Sequence, residues 1–321
     1  MWAYIVRRLA YSLVIVLGVL LLLFMLFFLV TTPDDIARKA VGEKAPPQAL
    51  EQWKKNHGYD KPRFWNRENP ADSMLVDHFR RMLTFDFGNS DADDTPIWQR
   101  LRSGAGPSLS LSLPLFALGL LLTISLGLLV AFFRETYIDR MGVILCVLAM
   151  SISTVLYIIS GQYLIARVLR WFPISGFDPS PSVIGRFLAV PVVVGLLSNV
   201  GDSVRFYRAV FVEEGNRDYV RTARAKGCGE ARILSHHILR NSLVPILTQV
   251  VVAIPLLVMG SILLESFFGI PGLGSITVDA INANDFATLR TMVYLGSLLF
   301  ILGQILTDVS YTLVDPRVRL E

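Results

Sequence analysis

Charge is scarce in this 321-residue chain. Asp, Glu, Lys and Arg make up 17% of it, against 53% hydrophobic residues, whereas soluble domains carry about 25% charged residues. That shortage makes a membrane protein the first reading. Cysteine is nearly absent: Cys146 sits in an apolar run and Cys228 in a charged loop. Neither has a CxxC partner, and a membrane boundary separates them in the pattern, so both read as structural and no disulfide is expected. The four histidines are His57, His78, His236 and His237. They lack the HExxH spacing and avoid the apolar spans, so no metal site is read. There is no GxxxxGK[ST], hence no P-loop to cradle ATP phosphates. No basic block interleaved with aromatics points to nucleic acid, and the net charge of +4 is weak by itself. Internal repeats, paired interrupted spans of a secondary transporter, and charged rings of a channel are likewise missing.

What the chain has is long apolar runs. A spanning helix needs about 20 apolar residues, and six runs qualify: 9–30, 107–133, 141–166, 187 to about 214, 241–264 and 291–313. The fourth is the weakest, because Asp202 and Arg205 interrupt it; the fifth ends at Glu265 and the sixth carries Asp308 near its far end. Arg7 and Arg8 precede an uncharged run of 22 residues, Leu9 to Val30. That run exceeds the h-region of a signal peptide and lacks an A-x-A site, so it reads as a retained span.

Basic residues set the orientation. They gather at Arg7 and Arg8, at Arg134 and Arg140, at eight positions in 205–240, and at Arg317 and Arg319. With six spans all four places fall on one side, which makes that side and both termini cytoplasmic. Segment 32–106 then lies outside. Trp53, Tyr59, Phe64, Trp65, Phe79, Phe85, Phe87 and Trp98 suit it to a small packed unit at the membrane surface. Within it, "PPQALEQWKKNHG" reads as a helix opened by proline and closed by Gly58. The organisation expected is 1–31 (first span), 32–106 (outer subdomain) and 107–321 (remaining spans, with the polar loop 205–240).

That loop contains "DYVRTARAKG" at 218–227. Asn216 or Asp218 suits a helix start and Gly227 a left-handed end. Tyr219, Ala223 and Gly227 share one helical face, small and smooth; Arg217, Arg221 and Arg224 share another. A second helix, about 230–240, follows with an apolar edge at Ile233, Leu234 and Ile238, and leads into "NSLVP".

The order short helix, glycine, second helix, Asn and Pro resembles the cytoplasmic EAA loop of ABC importer permeases, above all the branch whose loop reads like "DYVRTARAKG…LRNALIP". The position of the family's Glu is Arg221 here, and that of its first Ala is Thr222. Other stretches resemble the same family in order: "YIVRRL", "TTPDDIARKAVGEKAPPQALEQWKKNHGYDKP", "FDFGNS" at 85–90, "RWFPISGF" at 170–177, "ESFFGIPGLG" at 265–274, "NDF" at 284–286 and "DPRVR" at 315–319. Asp34, Asp35 and Ile36 replace the family's Gly-Asp-Pro, and Phe85 replaces a Gly. The nearest resemblance is to B-type permeases of dipeptide/oligopeptide ABC importers.

The resemblance implies an all-α membrane protein of the type I ABC importer kind, with six transmembrane helices, a cytoplasmic coupling helix and a long extracytoplasmic loop between the first two. It implies no catalysis and no cofactor on this chain, with ATP and Mg²⁺ on partner subunits. The partners implied are a sister permease, two ATPases and an extracytoplasmic binding protein. Asp218, Tyr219, Arg221, Thr222, Ala223, Lys226 and Gly227 are the expected ATPase-coupling residues. Phe268, Pro271, Gly272 and Gly274 form a tight turn expected at the outer mouth, where glycines permit positive φ or close approach. Gln162, Asn199 and Gln249 are polar residues in spans and thus pathway candidates, although such residues also join helices. The substrates implied are peptides, or alternatively nickel chelates or glutathione. A remote alternative is an intramembrane aspartyl protease using Asp202 and Asp308. Asp202 has a simpler account in an intrahelical pair with Arg205.

Overall fold

Lipid offers no partner to an open backbone, so apolar runs of this length must fold as helices. The computed structural model describes residues 2–42, 44–64, 66 and 72–314; Trp65, Arg317, Arg319 and the "DPRVR" stretch lie outside them. Among the described residues there is no strand, only an isolated bridge between Asn89 and Pro96. Among these residues five helices are long and apolar enough to cross a membrane, and a sixth crossing is available if a bent pair counts as one span.

Helix α1 runs Trp2–Phe24 and continues π-wound over Met25–Val30. Three short helices follow: α2 (Pro33–Val41), α3 (Pro47–His57) and α4 (Met74–Leu83). Where Asp34, Asp35 and Ile36 replace Gly-Asp-Pro, Thr32 and Asp35 form a capping box that opens α2. Helix α3 ends at Gly58 in the left-handed region (φ 74°), as its sequence announces.

The second span, α5 (Ile97–Phe132), starts ten residues before the apolar run at 107, because Arg100 in its first turns has partners at Asp93 and Asp285. The third is not one straight helix. α6 (Tyr137–Ser151) and α7 (Thr154–Gly161, π-wound onward over Gln162–Val168) meet at 88°. The cause is packing rather than a local breaker, since Ile152 and Ser153 at the corner are simply extended. Both arms press on α8 (Ile184–Gly215) at glycines. A Cβ on Gly201 would lie 2.5 Å from Cys146 O, and Gly161 abuts Val194.

Two short pieces follow: α9 (Asp218–Ala225), and α10, which runs Glu230–Arg232, then π-wound Ile233–Ile238, then Leu239–Asn241. The fifth span breaks where the sequence reads as continuous. α11 (Leu243–Met259) stops at Gly260, and α12 (Ile262–Phe268) restarts from a Ser261 cap. Gly260 has φ 73° and ψ −176°, a region that only glycine enters readily. α13 (Leu273–Asn282) and α14 (Phe286–Val314) complete the chain.

Three apolar clusters hold these elements. One joins Phe24 and Phe28 of α1 to Tyr59, Met82, Phe87, Ile97 and Tyr294, so the 32–96 segment packs on the first and last spans. A second joins Ile158, Val190, Val194 and Phe268. The third lies around Tyr207, Phe211, Val220, Ile233 and Ile238 and seats α9.

Candidate functional site

Helix α9 starts at Arg217, whose backbone is extended, with Asp218 in the first turn where the helix dipole favours an anion. It ends at Gly227, whose φ of 78° no L side chain adopts cheaply. Cys228 N donates back to Ala223 O at 3.1 Å. Val220 is fully buried and Ala223 is 6% exposed, both against Tyr207, Phe211, Ile233 and Ile238. The smooth flank expected at Tyr219, Ala223 and Gly227 is therefore not one open surface. Ala223 faces inward because it and Val220 are what this short helix offers to the apolar seat. Asp218, Arg221, Thr222, Lys226 and Gly227 are exposed.

Ion pairs and hydrogen bonds fix the rim. Arg224 Nε and Nη2 donate to Glu230 at 2.8 and 3.2 Å, tying α9 to α10. That pairing holds the Glu230 carboxyl below its usual range and raises the guanidinium. Tyr219, at 36% exposure, donates a short hydrogen bond to Glu214, and Thr222 Oγ1 donates to Asp218 O at 3.0 Å. Burial, with Glu214 beside it, pushes the Tyr219 hydroxyl up to about 12.

A second constellation surrounds the turn 269–274. Glu265, at 0% exposure, is the residue that sequence reasoning marked only as the end of a span. One carboxylate oxygen accepts from Ser108 Oγ (2.8 Å) and Ser261 N (3.1 Å); the other accepts from Gly274 N (2.7 Å) and Ser275 N (3.2 Å). Ser108 in turn accepts from Leu273 N at 2.7 Å. One carboxylate thus joins α5, the break in the fifth span and the start of α13. A side chain on Gly260, Gly272 or Gly274 would collide with it, which is the close approach those glycines permit. Pro271 is exposed and Phe268 buried, its carbonyl accepting from Gly176 N at 2.8 Å. An acid at the end of an apolar run, followed by a Gly-rich turn, was the available signal.

The motifs "FDFGNS" and "NDF" meet in a third cluster. Asp285, also 0% exposed, accepts from Ser90 Oγ (2.6 Å), Asp91 N (3.0 Å), Arg100 Nη1 (3.2 Å) and Thr288 Oγ1 (2.6 Å). Asp91 reciprocates by accepting from Ala287 N (2.8 Å) and Tyr59 (3.1 Å). Burial raises the Asp91 carboxyl and the Tyr59 hydroxyl.

The remaining candidates scatter. Gln162 donates to Phe267 O (2.8 Å) and Ile174 O (3.3 Å), so it joins helices. Asn199 donates to Gly195 O within its own helix, and Gln249 is exposed on α11. Asp202 is exposed, and the expected pair with Arg205 does not form; Arg205 turns to Met150 Sδ at 3.4 Å instead. Asp308 pairs with Arg8 at 2.5 Å. Asp202 on α8 and Asp308 on α14 therefore have separate surroundings, and among the described residues no contact joins them in support of the protease alternative.

An all-helical bundle with up to six spans, a short polar helix seated at one end and a Gly-rich turn pinned at the other now has a counterpart. The family described as "Binding-protein-dependent transport system inner membrane component" matches residues 107–320, and its N-terminal companion matches residues 1–104. The chain belongs to this family. It is a multi-pass transport permease subunit. The permease is similar to a putative peptide transport system permease protein of Brucella abortus (strain 2308), 33% identical over the full length of both. A probable peptide ABC transporter permease protein of Sinorhizobium fredii is 30% identical over 99% of this chain and all of its own. A glutathione transport system permease protein of Pectobacterium atrosepticum is 31% identical over 98% of each chain.

Proposed function

We propose that this chain is the peptide-conducting permease of an ATP-driven importer in the bacterial inner membrane, paired with a sister permease. Two cytoplasmic ATPase subunits bind ATP and Mg²⁺, and this chain holds no cofactor. A substrate-binding protein delivers peptides from outside to the face formed by 32–106 and the 269–274 turn. Both termini and the 205–240 loop are cytoplasmic. α9 is the coupling helix, and ATPase closure displaces it so that the spans rock between accessible states.

One observation carries this reading: α9 is a short helix, closed at Gly227 and anchored through Val220 and Ala223, that leaves Asp218, Arg221, Thr222 and Lys226 exposed. A knob fastened from below and polar above suits a groove in a soluble partner. Single cysteines at those four positions, in a background lacking Cys146 and Cys228, test it in native vesicles. Crosslinks to a nucleotide-hydrolysing subunit are expected; a complete absence at all four overturns the docking assignment.

The peptide assignment follows the printed functions of the Brucella and Sinorhizobium relatives. The Pectobacterium relative favours glutathione as a second reading. Competition of ATP-dependent dipeptide uptake by glutathione in the same vesicles separates them.

A further inference from the structure

Force applied to a surface helix needs a stiff route into the bundle. α8 is unbroken for 32 residues, or about 48 Å at 1.5 Å per residue. α9 is hinged to its end by two residues whose amides donate back into it, Asn216 to Glu213 O and Arg217 to Glu214 O. That same end grips the elbow between α5 and α6. Asn216 Oδ1 accepts from Arg134 Nη1 at 2.7 Å. Asp139, in the first turn of α6 and 5% exposed, accepts both arms of Arg208, Nε at 2.6 Å and Nη2 at 2.8 Å, and also Glu135 N at 3.0 Å. On the α5 side, a Cβ on Gly127 would lie 2.9 Å from Tyr207 Cβ and 3.3 Å from Arg208 N, so α5 and α8 touch backbone to backbone there.

α6 is the first arm of the bent span. Apolar contact alone would hold it on α8 without desolvating two charges. A bidentate fork adds a fixed angle, because both planes must stay aligned for both hydrogen bonds to persist. Rotation or translation of the α9 end of α8 is then imposed on α6 rather than absorbed by slippage.

We propose that the Asp139–Arg208 fork is the clamp that transmits displacement of α9 to the bent third span, making both residues positioning residues for coupling. This rests on the reading of α9 as the ATPase-docking helix. The test uses the assembled transporter in nanodiscs, with Cys146 and Cys228 replaced by Ser and spin labels on exposed Leu145 of α6 and Leu256 of α11. ATP with vanadate is added and the inter-label distance distribution read. Arg208→Lys keeps the charge and loses the fork; Asp139→Asn keeps the shape and the Glu135 contact. In both, assembly and α9–ATPase crosslinking stay at wild-type levels, while the nucleotide-shifted fraction falls about tenfold, within the range for coupling through a packed network. A wild-type shift in both variants overturns the clamp. A loss that only tracks reduced assembly also overturns it, leaving a structural pair. Absence of the α9 crosslink in the unmodified transporter overturns the docking reading and the clamp with it.

Discussion

At the scale of single residues, the molecule depends on buried acids that are fully partnered. Glu265 accepts four hydrogen bonds, three from backbone amides. Glu265→Ala orphans all four donors and is expected to cost roughly 3–5 kcal/mol, read as a lowered melting temperature in detergent. Glu265→Gln is expected to fall between, since one amide nitrogen must face an N–H. His78 offers a pH test. Its Nε2 lies 3.1 Å from Leu20 O, and burial, aided by Arg290, lowers its pKa from 6.5 to about 3. The folded protein therefore refuses a proton that the unfolded chain accepts. The stability this contributes is whole above pH 6.5 and is lost as pH falls toward 3, by up to about 1.4 kcal/mol per pH unit. The drop in melting temperature between pH 7.5 and 5.5 is expected to shrink in His78→Gln. An unchanged drop assigns the pH dependence to other groups.

At the scale of elements, α9 separates seating from contact. Ala223→Arg forces a cation into the apolar seat beside Phe211 and Ile233, which lowers stability and the yield of folded protein. Arg221→Glu, on the exposed flank, is expected to leave stability within about 0.5 kcal/mol and, under the docking proposed for α9, to change only ATPase engagement. A melting temperature equally lowered in both removes that distinction. Gly227→Ala meets open space but a positive φ, so its cost of about 1–2 kcal/mol is conformational. Much of this was legible in the chain: Asp218 at the start, Gly227 at the end, and the apolar edge Ile233, Leu234, Ile238. Which flank turns inward was not, because an eight-residue helix with one valine and two alanines presents no decisive stripe.

At the scale of the whole molecule, the 32–96 segment and the last span are locked by Asp91 and Asp285 across nearly two hundred residues of sequence separation. Asp285→Ala removes the acceptor of Ser90, Arg100 and Thr288 together. Faster amide exchange over 85–95 and the start of α14 is expected, with α9 unaffected. Exchange that rises equally in α9 reports global destabilisation instead. The two motifs were visible as separate signatures, but local pattern carries no information about a contact between segments so far apart.

The chain alone determined the helical class, the placement of six apolar runs and the short polar helix, ended by a glycine, between the fourth and fifth. Those features follow from hydrophobicity, charge bias and capping chemistry, all of which act over a few turns. Only the tertiary structure decided the 88° bend at 152–153, the role of Glu265 and the inward face of α9. Each depends on which distant backbone approaches closely, and close approach is set by the packing of whole helices rather than by neighbours in sequence.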